Sequence, residues 1–195
     1  MKQRLLLALL MLLTSAGFLK VDGQTIVLPK SETGEKVTLT FTGKFSASSY
    51  PIVYGTAKNE VKFVGTPGTT TVYELVSSVK QDTTYVLNNA YLAEWGEIGV
   101  TLDGKVLKFE TSSNSNQISP KFSSLVFLNN DTLISLNLEQ ASGLKKLDIS
   151  GNDDLTSITN LGGAVNLESL KASGCGFTSL DLTTNLSKLI SISCF

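Results

Sequence analysis

The chain has 195 residues, a formal net charge of −1, 42% hydrophobic and 17% charged residues, and no histidine. That is too apolar and too sparsely charged for a disordered chain. The lack of histidine excludes Ser-His-Asp and Cys-His catalysis and His-ligated zinc, and two cysteines are too few for a Cys₄ metal site or a disulfide scaffold.

The N-terminus opens with Lys2 and Arg4, followed by an unbroken apolar run at 5–13 that breaks at Thr14, Ser15, Ala16 and Gly17. This layout predicts a secretory signal peptide, because a spanning helix needs about 20 apolar residues. Cleavage after Ala16 or Gly23 fits. Gly23 is favoured, since Val21 and Gly23 suit the small −3 and −1 pockets, so the signal peptide is assigned to 1–23. The expected location is secreted or cell surface.

From Thr25 to about Asp103 apolar and polar residues alternate with period two. Val37, Leu39 and Phe41 interleave with Lys36, Thr38, Thr40 and Thr42; Val61 and Phe63 flank Lys62; the run at 72–76 is broken only by Glu74. Turn punctuation falls at 31–34, 66–68 and Asp103-Gly104. The last of these, between two apolar alternations, predicts a hairpin. Six to eight short strands are expected, forming a small antiparallel β-domain over 24–104, with one helical turn conceivable at 88–95.

After Lys105 the period changes. Segments that are apolar at i, i+3 and i+5, with Asn or a substitute at i+8, begin at 122, 133, 144, 155, 167, 177 and 189. They read FSSLVF, LISLNL, LKKLDI, LTSITN, LESLKA, FTSLDL and LISISC, and VLKFET at 106–111 is a degenerate first copy. Every second start is separated by 22 or 23 residues. This is a leucine-rich repeat of about 22 residues with a nested half-period of about 11. Such repeats bury an apolar row against the turns above and below. Two segments per turn predict a solenoid with two strand faces over 105–195. The asparagines should bond the backbone of adjacent loops as a ladder. The copy at 155 departs from the pattern, with Asn160 in the i+5 slot and Leu161 displaced by one. The expected fold is mostly β: an antiparallel N-terminal domain, then the solenoid.

LKKLDISGN at 144–152 and FTSLDLTTN at 177–185 resemble the nested 21–22-residue repeats of exported, internalin-like leucine-rich repeat proteins of Gram-negative anaerobes. The segments GEKVTLTF from Gly34, YVL from Tyr85 and IGVTLDG from Ile98 are similar to that family's N-terminal module. The resemblance implies a secreted or surface protein that binds a protein or host-surface partner, with no enzymatic activity and no common ligand. The sequence departs from the family at Ala141 and Cys175, which occupy Asn slots, and ends at Phe195 inside a repeat. An uncapped apolar end predicts end-to-end self-association.

Outward repeat positions define the candidate ligand-binding residues. One face carries Lys145, Lys146, Asp148, Glu168, Ser169 and Lys171, of mixed charge; the other carries Ile134, Ser135, Asn137, Thr156, Ser157, Thr178, Ser179 and Asp181. The charged face is suited to steering and register. In the N-terminal domain, Tyr91 and Trp95 could stack on a sugar ring, which makes a glycan-binding module with the repeats as spacer the alternative function. Glu94 and Glu97, on either side of Trp95, are the candidate carboxylates for an Asp/Glu hydrolase. Asn152, Asp153 and Asp154 read as a turn, and the acceptor-like patterns at Asn130 and Asn185 read as ladder asparagines. Cys175 and Cys194 are expected as free thiols. No cofactor, metal or nucleic-acid partner is implied.

Overall fold

The computed structural model describes residues 23–43, 52–55, 60–61, 63–64, 70–88, 97–111, 122–183 and 185–194. Eight strands come from the region of two-residue period: β1 (Gly23–Leu28), β2 (Lys36–Thr42), β3 (Ile52–Tyr54), β4 (Glu60–Val61), β5 (Phe63–Val64), β6 (Thr70–Val76), β7 (Thr83–Asn88) and β8 (Ile98–Asp103). The repeats supply β9 (Lys108–Thr111), β10 (Phe122–Leu128), β11 (Ser135–Asn137), β12 (Lys146–Asp148), β13 (Ile158–Thr159), β14 (Ser169–Lys171) and β15 (Ser191–Ser193).

These strands form two sheets. Sheet A runs β13-β11-β9-β1-β7-β3-β4, and sheet B runs β15-β14-β12-β10-β8-β2-β6-β5. Successive repeat copies enter opposite sheets, as the half-period predicts: 106, 133 and 155 feed sheet A, while 122, 144, 167 and 189 feed sheet B. The result is a β-solenoid of about 4 turns over residues 98–193, preceded by an N-terminal strand region. Repeat strands stack in parallel. The earlier strands pair antiparallel, and β2 and β1 join them to the solenoid through β8 and β9. Both sheets therefore run across the 104/105 boundary. Parallel stacking already begins with β8, which pairs with β10.

The hairpin expected at Asp103-Gly104 does not form. β8 lies between β2 and β10 in sheet B, whereas β9 lies between β1 and β11 in sheet A. The Asp-Gly pair turns a corner between sheets. Gly104 adopts φ 117°, and its N–H donates to Leu128 O at 2.9 Å, the end of the strand stacked on β8. A side chain there would press on Lys36 O at 3.0 Å. A left-handed glycine suits a sharp corner as well as a hairpin, so the local signal was sound and the choice of partner strand was tertiary.

Between the sheets lies one apolar core. Its register follows the repeat: Phe41, Val100, Leu125, Leu147, Leu170 and Ile192 form one inward row of sheet B. Ile26, Phe109, Leu136 and Ile158 form the matching row of sheet A. All but the last rung of each row is buried. Phe109 meets Phe122 and Phe127 edge-on across the core, at 6.3 and 5.8 Å. In β2, Val37, Leu39 and Phe41 face inward as the alternation predicts. Tyr73 and Tyr85 are also core residues. Tyr73 packs edge-on against Phe41, and Tyr85 Oη donates to Val76 O at 2.9 Å.

The ladder slots sit where the strands of sheet B leave the core. Asn130 and Asn152 are buried, and the Cys175 thiol donates to Ile149 O of the preceding turn at 3.1 Å. Cys175 and Cys194 are both free.

Candidate functional site

The charged candidates share the outer face of sheet B. Their placement follows from the repeat: Leu144, Leu147 and Ile149 point inward, which turns Lys145, Lys146 and Asp148 outward. The next turn does the same with Leu167, Leu170 and Ala172, turning out Glu168, Ser169 and Lys171. Strand register then aligns these side chains in rows. Ser124, Lys146, Ser169 and Ser191 form one row, and Val126, Asp148, Lys171 and Ser193 another. In the preceding row, the Glu168 N–H donates to Lys145 O at 2.8 Å and the Ile190 N–H to Glu168 O at 3.0 Å. Neighbouring rungs lie about 4.8 Å apart, so charges on adjacent turns fall within reach of one ligand.

Two ion pairs cross these strands. Lys145 Nζ donates to Glu97 Oε1, just before β8, and the Lys171 ammonium stands 3.7 Å from Asp148 Oδ2. The Lys145 hydrogen bond and charge hold the Glu97 carboxyl below its ordinary value, and Glu97 raises Lys145 in return. Both partners are exposed, and surface pairs of this kind add little to stability. Lys146 is exposed and makes no ion pair among the described residues. All five charged candidates are therefore brought together, as the repeat predicts, and Glu97 joins them. Its role was missed because the segment before Ile98 reads as part of the earlier module; the signal available was IGVTLD, which is itself apolar at alternating positions.

Glu97, one of the two carboxylates expected as a hydrolytic pair, is bonded to Lys145. Glu94, Tyr91 and Trp95 lie outside the described residues, as does most of the 88–95 stretch. Asn152 is buried and its Nδ2 donates to Ile149 O at 2.7 Å, as a ladder residue should. Among the described residues no group of three or more His, Cys, Asp or Glu side chains converges as a metal site.

On sheet A, Ile134, Ser135 and Asn137 are outward, with Ile134 47% exposed. Beyond them lies a cleft of about 420 Å³ whose lining includes Ile158, Leu161, Glu139 and Asp181. Sequence reasoning did not locate it. Its trace in the sequence is Asn160 in an apolar slot.

No family model, curated protein or solved structure matches the chain.

Proposed function

We propose that this is an exported, non-enzymatic leucine-rich repeat protein that recognises a protein partner at a cell surface through the outer face of sheet B. The observation that carries this reading is the alignment of Lys145, Lys146, Asp148, Glu168 and Lys171 on adjacent parallel rungs. Repeat solenoids bind with such stacked outward positions, and mixed charge on a flat face sets encounter and register. Export is supported by Lys2 and Arg4 before the apolar run at 5–13. The leucine-rich repeat assignment rests on the nested period of about 11 and 22 residues.

The test is binding of fluorescently labelled protein to intact cells, with a triple variant K145E, K146E, K171E as control. A protein partner predicts saturable binding that is lost when the cells are treated with trypsin and survives periodate. The triple variant should bind at least about ten-fold more weakly. Binding that resists trypsin but falls with periodate would replace this reading with glycan recognition.

A further inference from the structure

The copy at 155–160 is out of phase with the others, and the consequence is structural. Asn160 occupies the slot where every copy but the degenerate first carries an apolar residue. Its backbone turns left-handed at φ 55°, and β13 stops after two residues. The chain then enters a short 3₁₀ turn, Leu161–Gly163. The next copy on the sheet A side, FTSLDL at 177–182, fits the repeat cleanly yet forms no strand. Sheet B continues through β14 and β15, while among the described residues sheet A ends at β13, which pairs there with β11 alone. Sheet A is one rung short, and the cleft of about 420 Å³ lies at the gap, between Ile158 and Asp181.

The cleft has three chemical properties. Its strand edge has no pairing strand among the described residues, and a free edge is a template for an added strand. Ile158 and Leu161 give it an apolar wall. Among the described residues Glu139 and Asp181 are its charged lining residues, both exposed. Asp181 stays ionised because Oδ1 accepts from Thr183 N–H at 2.9 Å and from Thr183 Oγ1 at 2.6 Å, which lowers its pKa. Negative charge beside an unpaired edge calls for a positive side chain on an extended backbone.

We propose that this cleft docks an extended basic peptide segment, which adds a strand to the free edge of β13 and places a Lys or Arg side chain between Glu139 and Asp181. The site is separate from the charged face of sheet B, and its occupant need not be the same partner.

The experiment is an NMR titration of the ¹⁵N-labelled protein with acetyl-Thr-Val-Lys-Val-Thr-amide and with its Glu-for-Lys counterpart. The Lys peptide should shift the amides of Ile158, Thr159 and Gly162 saturably, with the Glu peptide at least about ten-fold weaker. The double variant E139Q, D181N, altered only at exposed side chains, should keep the melting temperature and weaken the Lys peptide by about ten-fold. N-methylation of the peptide backbone should abolish binding, since strand addition needs its N–H groups. Equal response to both peptides, or none at millimolar concentration, overturns the proposal. So does slow amide exchange at 177–182 in the free protein, which would mean that the chain closes its own gap. Shifts at β13 that grow with protein concentration alone would assign the edge to a second copy and equally overturn it.

Discussion

Asn130 closes both backbone groups of Val106, 24 residues earlier: its Oδ1 accepts from the Val106 N–H at 3.3 Å and its Nδ2 donates to Val106 O at 3.2 Å. The same Oδ1 accepts from Thr132 N–H at 3.1 Å. All of this happens with Asn130 only 5% exposed. One carboxamide thus joins the corner after β8 to the corner after β10. Asn130→Ala would strand the buried Val106 N–H, because only Val106 O keeps a second partner, the Thr132 hydroxyl. The expected cost is about 1–3 kcal/mol, measured by urea unfolding with an unchanged m-value. Asn130→Asp should cost as well, since it keeps the acceptor and loses the donor.

The ladder at Asn130 was legible because a period of 22 residues fixes which residues stack. The inward rows were legible for the same reason: Leu125, Leu147 and Leu170 share a slot in the template and a rung in the structure. So were the five charged candidates, since an inward Leu at i and i+3 forces its neighbours out. The partner strands were not legible. Asp103-Gly104 carries the chemistry of a reversal, and nothing local says whether the chain returns to its own sheet or crosses to the other. Nor could FTSLDL show that it lacks a strand, because the irregularity lies one turn earlier, in the segment from Asn160 to Gly163. Tyr91 and Trp95 lie outside the described residues.

Cys175 occupies a ladder slot with a side chain that donates weakly and accepts weakly. Burial raises its thiol pKa above the ordinary value of 9.0, and the Asp148 charge adds to the rise, against a lowering hydrogen bond from the Asn152 backbone. Its folded pKa exceeds the unfolded one, so its contribution to stability is full below the ordinary value and is lost as pH rises through the folded value. At pH 8 the thiol should react slowly with iodoacetamide. Asp148→Asn should lower the pKa and speed alkylation of Cys175, read by peptide mass spectrometry; an unchanged rate would remove Asp148 from the account.

The Glu97–Lys145 pair should be visible in titration and nearly silent in stability. Glu97 has a depressed pKa, so the pair's contribution is present above the ordinary carboxylate value of 4.5 and is lost as pH falls through the lower folded value. On the alkaline side Lys145 is raised, and the contribution disappears as pH rises through a value above 10.5. Lys145→Met should return the Glu97 carboxyl toward 4.5, followed by its side-chain ¹³C shift. Added salt should have the same direction of effect, because both groups are exposed.

Among the described residues β15 pairs with β14 alone; Ile190 just before it is 86% exposed and Ile192 within it 43%. An apolar edge of this kind is a template for another strand. The 195-residue chain is therefore expected to self-associate, with a sedimentation-velocity mass that rises with concentration. Ile190→Lys should suppress the rise, as an exposed charge beside an edge strand does. A concentration-independent monomer would reject this expectation.

Removing Asn160 is the sharpest test of the phase argument. The deletion moves Leu161 into the i+5 slot, so the copy would read LTSITL and match its neighbours. The left-handed turn at Asn160, with its Nδ2 bond to Asn137 Oδ1 at 3.1 Å, would be gone. An apolar residue at this slot belongs in the core, as Leu138 does one turn earlier. β13 should then extend, and the segment 177–182 should pair with it, because Phe177, Leu180 and Leu182 already pack partly against the core. Expected are slowed amide exchange across 177–182, a higher melting temperature, and loss of response to the Lys peptide. The opposing force is the turn at Gly163, where backbone carbonyls of Leu138 and Glu139 leave no room for a side chain and little for a shift. If that contact dominates, the deletion will lower the melting temperature and leave 177–182 unprotected, and the gap in sheet A will have to be ascribed to Gly163 rather than to Asn160.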